Sequence, residues 1–263
     1  MIVEHSVFRA ALLIYTLGLA SVHALAAELT VENVQAQLAA SSPQQPADLS
    51  GKDLSDLDLS HLDFKHARLV GANLFGARLV SSNLAGADLS GANLNGAWLM
   101  GTNFAGARLV GANLLSVVVL GGEVKTRPNF AGADLSGARI IADLPATDLR
   151  RARLSKANLG VNIKNQGMGQ MRTDLTGANL SGADLSGADL NRSLLSFADL
   201  SHANLAGANF FRASLAGADL TGADVTGADF AEADLDRTIF TGVTGLATAK
   251  GLDKASNRDK AIF

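Results

Sequence analysis

The chain has 263 residues, of which 48% are hydrophobic, 5% aromatic and 18% charged, and its 22 Lys and Arg against 25 Asp and Glu leave a formal charge of −3. With so few aromatic residues the core must be mostly Leu and Ala. The absence of Cys excludes disulfides, thiolate metal sites, a cysteine nucleophile and lipoprotein acylation.

In chain order, the first element is a start carrying Glu4 and Arg9, an apolar stretch from Ala10 to Ala20, and the small-x-small sequence Ala24-Leu25-Ala26. This predicts a secretory signal peptide over residues 1–26, cleaved near Ala26/Ala27, and hence a periplasmic or secreted protein. The apolar stretch is too short to span a bilayer, so no stable membrane span is expected after cleavage. Residues 27–46 are predicted to form a cap and linker. Thr30 can cap a short helix running to about Ala40, with Val31, Val34 and Leu38 on one side, and Pro43 and Pro46 end it.

Residues 47–242 repeat. Leu or Phe recurs every fifth residue without a break from Leu49 to Leu114, and again from Leu175 to Phe240 with a single valine among them. Around the central residues the local text is nearly constant: Ala two places before, Asp or Asn one before, and often Gly two after, as in Ala87-Asp88-Leu89-Ser90-Gly91. Five residues turn an ideal helix by about 500°, so the leucines would wander around its axis. In an unbroken strand, positions five apart would point to opposite faces. The chain must therefore bend once per repeat. The central Leu and the Ala before it then point inward, while the Asp or Asn and the two residues after Leu point outward. Coils stacked at about 4.8 Å would bury one another, as in other repeat proteins.

The register breaks near 125–129 and 141–145. Central residues keep one phase through Val124, slip by one at Phe130, Leu135 and Ile140, and slip back from Leu144 to Leu159. A larger break at 160–172, containing Gly167-Met168-Gly169, is a candidate functional loop. The tail at 243–263 is predicted to cap the far end, its Leu246, Leu252, Ile262 and Phe263 either covering the last coil or meeting a second copy.

These repeats resemble the pentapeptide-repeat proteins, whose pattern is commonly written A(D/N)LXX. The resemblance implies an all-β fold: a right-handed, quadrilateral (four-sided) parallel β-helix or solenoid with four repeats per coil, here with short helical caps at the N- and C-terminal ends. About 37 recognisable repeats then make roughly nine coils and a rod on the order of 45 Å long.

With four repeats per coil, residues twenty apart stack in columns. Asp48, Arg68, Asp88 and Arg108 form an alternating-charge ladder, and Asn73, Asn93 and Asn113 a candidate amide ladder. Val80, Trp98, Met100, Val118 and Leu120 share one side, with Phe75 and Leu115 beside them. These are read as an exposed apolar patch for partner contact. The second candidate is a basic group, Arg150, Arg151, Arg153 and Lys156, which nothing in the repeat requires. It lies in a stretch from Lys125 to Arg172 with nine basic and three acidic residues. From Thr173 to Phe240 there are ten acidic and three basic, so the rod is expected to be electrically polarised.

No enzyme is expected. His61 and His66 fall at neighbouring corners that point apart, His202 is isolated, and no triad, P-loop or calcium-binding nonapeptide can be found. No metal or cofactor is assigned. The leading expectation is a non-catalytic scaffold or protein-interaction module of the bacterial cell envelope, binding a protein partner or itself, with a homodimer through the C-terminal end as one form. The alternative is a DNA mimic that regulates or protects a topoisomerase (gyrase), which requires an uncleaved, cytosolic chain. Direct nucleic-acid binding is not expected, because no aromatic residues interleave with the arginines.

Overall fold

The computed structural model describes residues 29–119, 126–161 and 172–263. The predicted signal peptide, Leu120 and most of the 160–172 break lie outside the described residues. The rest winds into coils held by parallel β-bridges in four columns. The first column runs Asp48, Arg68, Asp88, Arg108, Asp134, Arg153, Asp184, Asn204, Asp224, Thr244, ten coils deep. The second starts at Asp53, the third at Asp58 and the fourth at Asp63, so one coil is four pentapeptides. Among the described residues, only one stretch pairs as more than isolated bridges: β1 (Asn113–Leu115) lies parallel to β2 (Arg139–Ile141).

The residue types account for this geometry. The central residue donates its N–H to the next coil, as Leu49 does to the Arg68 carbonyl at 2.7 Å, and Arg68 donates back to Ala47 at 2.8 Å. The fifth residue of most units takes left-handed backbone, as at Gly91 with φ 69, and that turns the chain into the next column. Asp or Asn before Leu stabilises the same turn by accepting from the N–H two residues on, as Asp88 does from Ser90 at 3.0 Å. Each position of the repeat therefore has one physical task.

Leu49 through Leu235 and the intervening alanines form one continuous apolar core, nearly all at zero exposure. Phenylalanines stack where they follow one another in a column, Phe104 on Phe130 at 4.8 Å and Phe210 on Phe230 at 5.2 Å. Where Ser or Thr replaces the inward Ala, its hydroxyl donates to a carbonyl of the previous coil: Ser82 to Leu59 at 2.7 Å and Thr102 to Leu79 at 2.6 Å. Thr147 is equally buried, but its Oγ1 has no partner. Both substitutions to Ala remove one methyl, but only Thr102→Ala removes a hydrogen bond. We expect Thr102→Ala to cost about 1 kcal/mol more than Thr147→Ala in denaturant unfolding. Equal costs would mean the Thr102 bond contributes nothing net.

Both register slips follow from changed coil length. The bridge spacing is 26 rather than 20 between Asn103 and Asn129, then 19 between Asn129 and Asp148, and 31 between Asp143 and Asp174. The first extra segment separates Val118 of the third column from Asn129 of the fourth. The second separates Asn158 of the second column from Asp174 of the third. The extra residues thus fall in sequence on either side of third-column positions, one set after Val118 and the other before Asp174.

At the N-terminus α1 (Val31–Ala39) forms where it was expected, with Thr30 and Asn33 completing a reciprocal capping box. Val34 is fully buried, while Leu29 and Leu38 pack partly against the core. The C-terminal end differs from the helical cap and tail expected at 243–263. Bridges continue at Thr244, Lys250, Ser256 and Ile262, now six residues apart, so the segment is a tenth coil made of six-residue units. Helical structure there is limited to single 3-10 turns at Leu246–Thr248 and Arg258–Lys260. The inward small residue persists as Ala249, Ala255 and Ala261, but Gly245, Gly251 and Asn257, all left-handed, stand where Leu would be. With no further coil to cover them, central leucines would be exposed. Phe263 closes the end by stacking on Phe240 at 5.0 Å, and Leu246 and Leu252 pack partly on the core.

Candidate interaction face

The first, second and fourth columns present polar ladders. In the first column Asp and Arg alternate further than the sequence reading followed, through Asp134, Arg153 and Asp184. Its pairs are loose and exposed, Arg68 to Asp48 at 3.8 Å and Arg108 to Asp88 at 3.9 Å, so each contributes little. The second column holds the expected amide ladder, Asn93 donating to Asn73 at 3.0 Å and Asn73 to Asp53 at 2.8 Å. The fourth holds another, Asn103 to Asn83 at 3.1 Å and Asn83 to Asp63 at 2.9 Å.

Along the third column the character changes. Trp98 and Val118 replace the Asp or Asn of the repeat, and Leu194 does so again further along. Trp98 is 38% exposed and lies under the Arg78 guanidinium, 4.9 Å from the ring centroid. In the turn before this column Phe75 is 52% exposed, and Leu115 and Phe211 are half-buried. In the turn after it Phe197 is 65% exposed. Of the residues expected on an apolar side, Phe75 and Trp98 are exposed and Leu115 and Val118 half-buried.

Val80 and Met100 are corrections, being only 7% and 4% exposed. The position after Leu points away from the core, yet it is sandwiched between its counterparts about 4.8 Å above and below. Even Ser90 and Ser136 are only half-exposed there. Longer side chains such as Val80 and Met100 fill that gap and bury one another along the axis.

Two of the four basic residues, Arg150 and Arg153, are paired with carboxylates. Arg150 holds Asp148 with two hydrogen bonds, 2.9 and 2.6 Å, which keep the Asp148 carboxyl below its ordinary range despite the opposing effect of burial. Arg153 is the Arg of the first-column ladder, 3.7 Å from Asp134. Arg151 and Lys156 occupy the left-handed fifth place, and their stems lie over Gly182 and Gly187 of the next coil. No salt bridge is found for these two among the described residues. His61 and His66 sit on different turns, and among the described residues no group of three or more His, Asp or Glu could hold a metal ion.

Sequence reasoning missed Leu194, Phe197 and Phe211. The signal was present: Phe197 stands where the repeat has Gly, and Leu194 where it has Asp or Asn. Assigning them to the side of Trp98 requires carrying the twenty-residue column across the spacing of 31, which the sequence alone does not align.

The family model for pentapeptide repeats matches eight copies over residues 47–76, 77–115, 173–210 and 208–244, more than half of the chain. Among solved structures, HetL, a pentapeptide repeat protein involved in heterocyst differentiation regulation in the cyanobacterium Nostoc, is 30% identical. The alignment covers 89% of this chain and 99% of HetL, with a TM-score of 0.38. QnrB1, a plasmid-mediated fluoroquinolone resistance protein, is 19% identical over 70% of this chain and 81% of its own, with a TM-score of 0.34. A pentapeptide repeat protein of the Arabidopsis thaliana thylakoid lumen is 37% identical over 39% of this chain and 68% of its own, with a TM-score of 0.21. No curated protein matches the chain.

Proposed function

The chain belongs to the pentapeptide-repeat proteins, and from that membership we propose that it is a non-catalytic scaffold of the bacterial cell envelope that binds protein on its third-column side. The rod is then a right-handed, four-sided β-helix, with most of its outward apolar side chains gathered along and beside the third column. The observation that carries the reading is this asymmetry. At the position where the repeat most often has Asp or Asn, this column places Trp98, Val118 and Leu194, whereas the fourth column has apolar residues there only at its C-terminal end, Ile239 and Ile262. Two further columns are held by amide ladders that use their side chains internally. An exposed apolar strip costs solubility and is retained on soluble proteins chiefly for contact. Export follows from the start of the chain, with cleavage near Ala26/Ala27.

The test joins compartment to contact. The protein is fractionated from its native host with a photo-crosslinking residue in place of Trp98, and its N-terminus is sequenced. A mature start near Ala27 in the periplasm or medium, with an adduct formed from position 98 and not from Asn93 in the polar second column, is the expected result. An intact Met1 in the cytosol would overturn the envelope assignment and favour the second reading, a DNA mimic acting on a topoisomerase. That reading draws on the acidic stretch from Thr173 to Phe240, but Arg68, Arg108 and Arg153 interrupt the negative charge of the first column.

A further inference from the structure

We propose that the first-column side is a contact surface for a second copy of this chain, the two rods lying face to face and antiparallel about a twofold axis between Arg108 and Asp134. Counting coils from Asp48, the outward residues of this column alternate in sign for seven coils: Asp48, Arg68, Asp88, Arg108, Asp134, Arg153, Asp184. Folding does not require the alternation. The second and fourth columns hydrogen-bond from coil to coil, as Asn73 does to Asp53 at 2.8 Å. The first-column pairs stand instead at 3.7–3.9 Å, outside hydrogen-bonding distance, with each guanidinium more than half exposed. The four carboxylates each use Oδ1 to accept the N–H two residues on, leaving Oδ2 for a cation. Charges of both signs are therefore held in a fixed row with their pairing capacity largely unused.

The period selects the occupant. Side chains on one face recur about every 6.8 Å along a strand and about every 5.4 Å along a helix, and a nucleic acid presents one sign only. Opposite charges alternating about every 4.8 Å are matched by another stack of coils, and of the four columns the first alone carries them over this length. With the axis between the fourth and fifth coils, facing coil numbers sum to nine. Arg108 then faces Asp134, Asp88 faces Arg153, Arg68 faces Asp184, and Asp48 faces Asn204, whose amide can donate. Each contact occurs twice, as an isologous pairing requires, and no like charges of the ladder meet. The corner cations Arg151 and Lys156, in the sixth coil, face the corners of Gly86 and Gly91 in the third. A parallel pair in register would set Asp on Asp, and a parallel pair shifted by one coil would not close. Every facing residue is described, and the third-column side stays open to another partner.

Eight coils about 4.8 Å apart, on a side about 10 Å wide, give a contact of roughly 400 Å² per copy, half of the roughly 800 Å² of a standard interface. The dimer is accordingly weak and reversible, and its charged contacts make it sensitive to salt. Between about 0.01 and about 0.15 M salt the Debye length falls from about 30 to about 8 Å, so the dissociation constant should rise at least about tenfold.

Two charge reversals test the pairing on the purified chain by sedimentation equilibrium. Arg108→Glu alone sets two carboxylates against each other at the centre, and Asp134→Lys alone sets two cations there, so each variant should be monomeric at low salt. In a mixture of the two, both central contacts are again between opposite charges, and a mixed dimer should form. Melting temperatures should change little, because the ladder is exposed. The cysteine-free sequence permits a second test that leaves the ladder intact. Facing sheets pack about 10 Å apart, beyond disulfide reach, so a short bismaleimide is the probe. Two copies of Val110, in the fourth coil, lie about 5 Å apart along the rods, whereas two copies of the 36% exposed Val70, in the second, lie about 24 Å apart. Val110→Cys should give a covalent dimer that salt suppresses, and Val70→Cys should not. A monomer at every concentration in low salt, or association that survives Arg108→Glu, would overturn the proposal. Equal cross-linking at both positions would overturn the antiparallel geometry.

Discussion

Replacing Leu94 with Asp should unfold the coils around it, while Asn95→Asp, one residue later, should be nearly silent. Leu94 has no exposure and lies between Leu74 and Leu114 in a stack of central residues. A carboxylate there has no partner within the core, and burying it costs several kcal/mol whether it ionises or takes up a proton. Loss of the leucine adds about 2–5 kcal/mol in transfer and cavity terms. Because each coil is stabilised by its neighbours, the damage should spread to the coils on both sides. Asn95 points outward, and its Oδ1 accepts the Leu115 N–H at 2.9 Å. Asp retains that acceptor. Far-ultraviolet circular dichroism and thermal melting would check both. Similar destabilisation by the two substitutions would contradict the inward and outward assignment on which the whole architecture depends.

The second large effect is expected at Gly251, in the six-residue units of the last coil. Gly251 has φ +68, and a Cβ there would come within 2.5 Å of the backbone N and Cα of Ala231. Backbone in a stacked coil cannot rotate away as a side-chain tip can. Ala at this position must push the last coil off the one before it. Gly227 has nearly the same φ, +67, but nothing within 4 Å of its would-be Cβ. Gly227→Ala should therefore cost only the left-handed strain of about 1–2 kcal/mol. Gly251→Ala should release the segment after Thr244, expose Phe240, and make the tail sensitive to limited proteolysis. A protease-resistant Gly251→Ala protein would show that the last coil does not depend on close backbone approach.

Much of this architecture was legible without coordinates, because a solenoid is close to one-dimensional and its columns can be read by counting. The inward Leu94, the turn at Gly91, the amide pair Asn73 and Asn93 and the capping Thr30 all follow from local text. The six-residue coil was not read, although Ala249, Ala255 and Ala261 mark it. Its central positions hold Gly and Asn, which carry no apolar signal, and only pairing with the previous coil identifies them as rungs. The burial of Val80 and Met100 escaped for a different reason: a two-state inward or outward rule ignores shielding along the rod axis.

The repeat, its bends and the identity of the core are local properties, since they depend on residues five apart that contact the same neighbours in every coil. The alignment of coils across the 26-, 19- and 31-residue spacings is not local, because pairing between distant segments sets that register. That register places Leu194, Phe197 and Phe211 on the same side of the rod as Phe75 and Trp98.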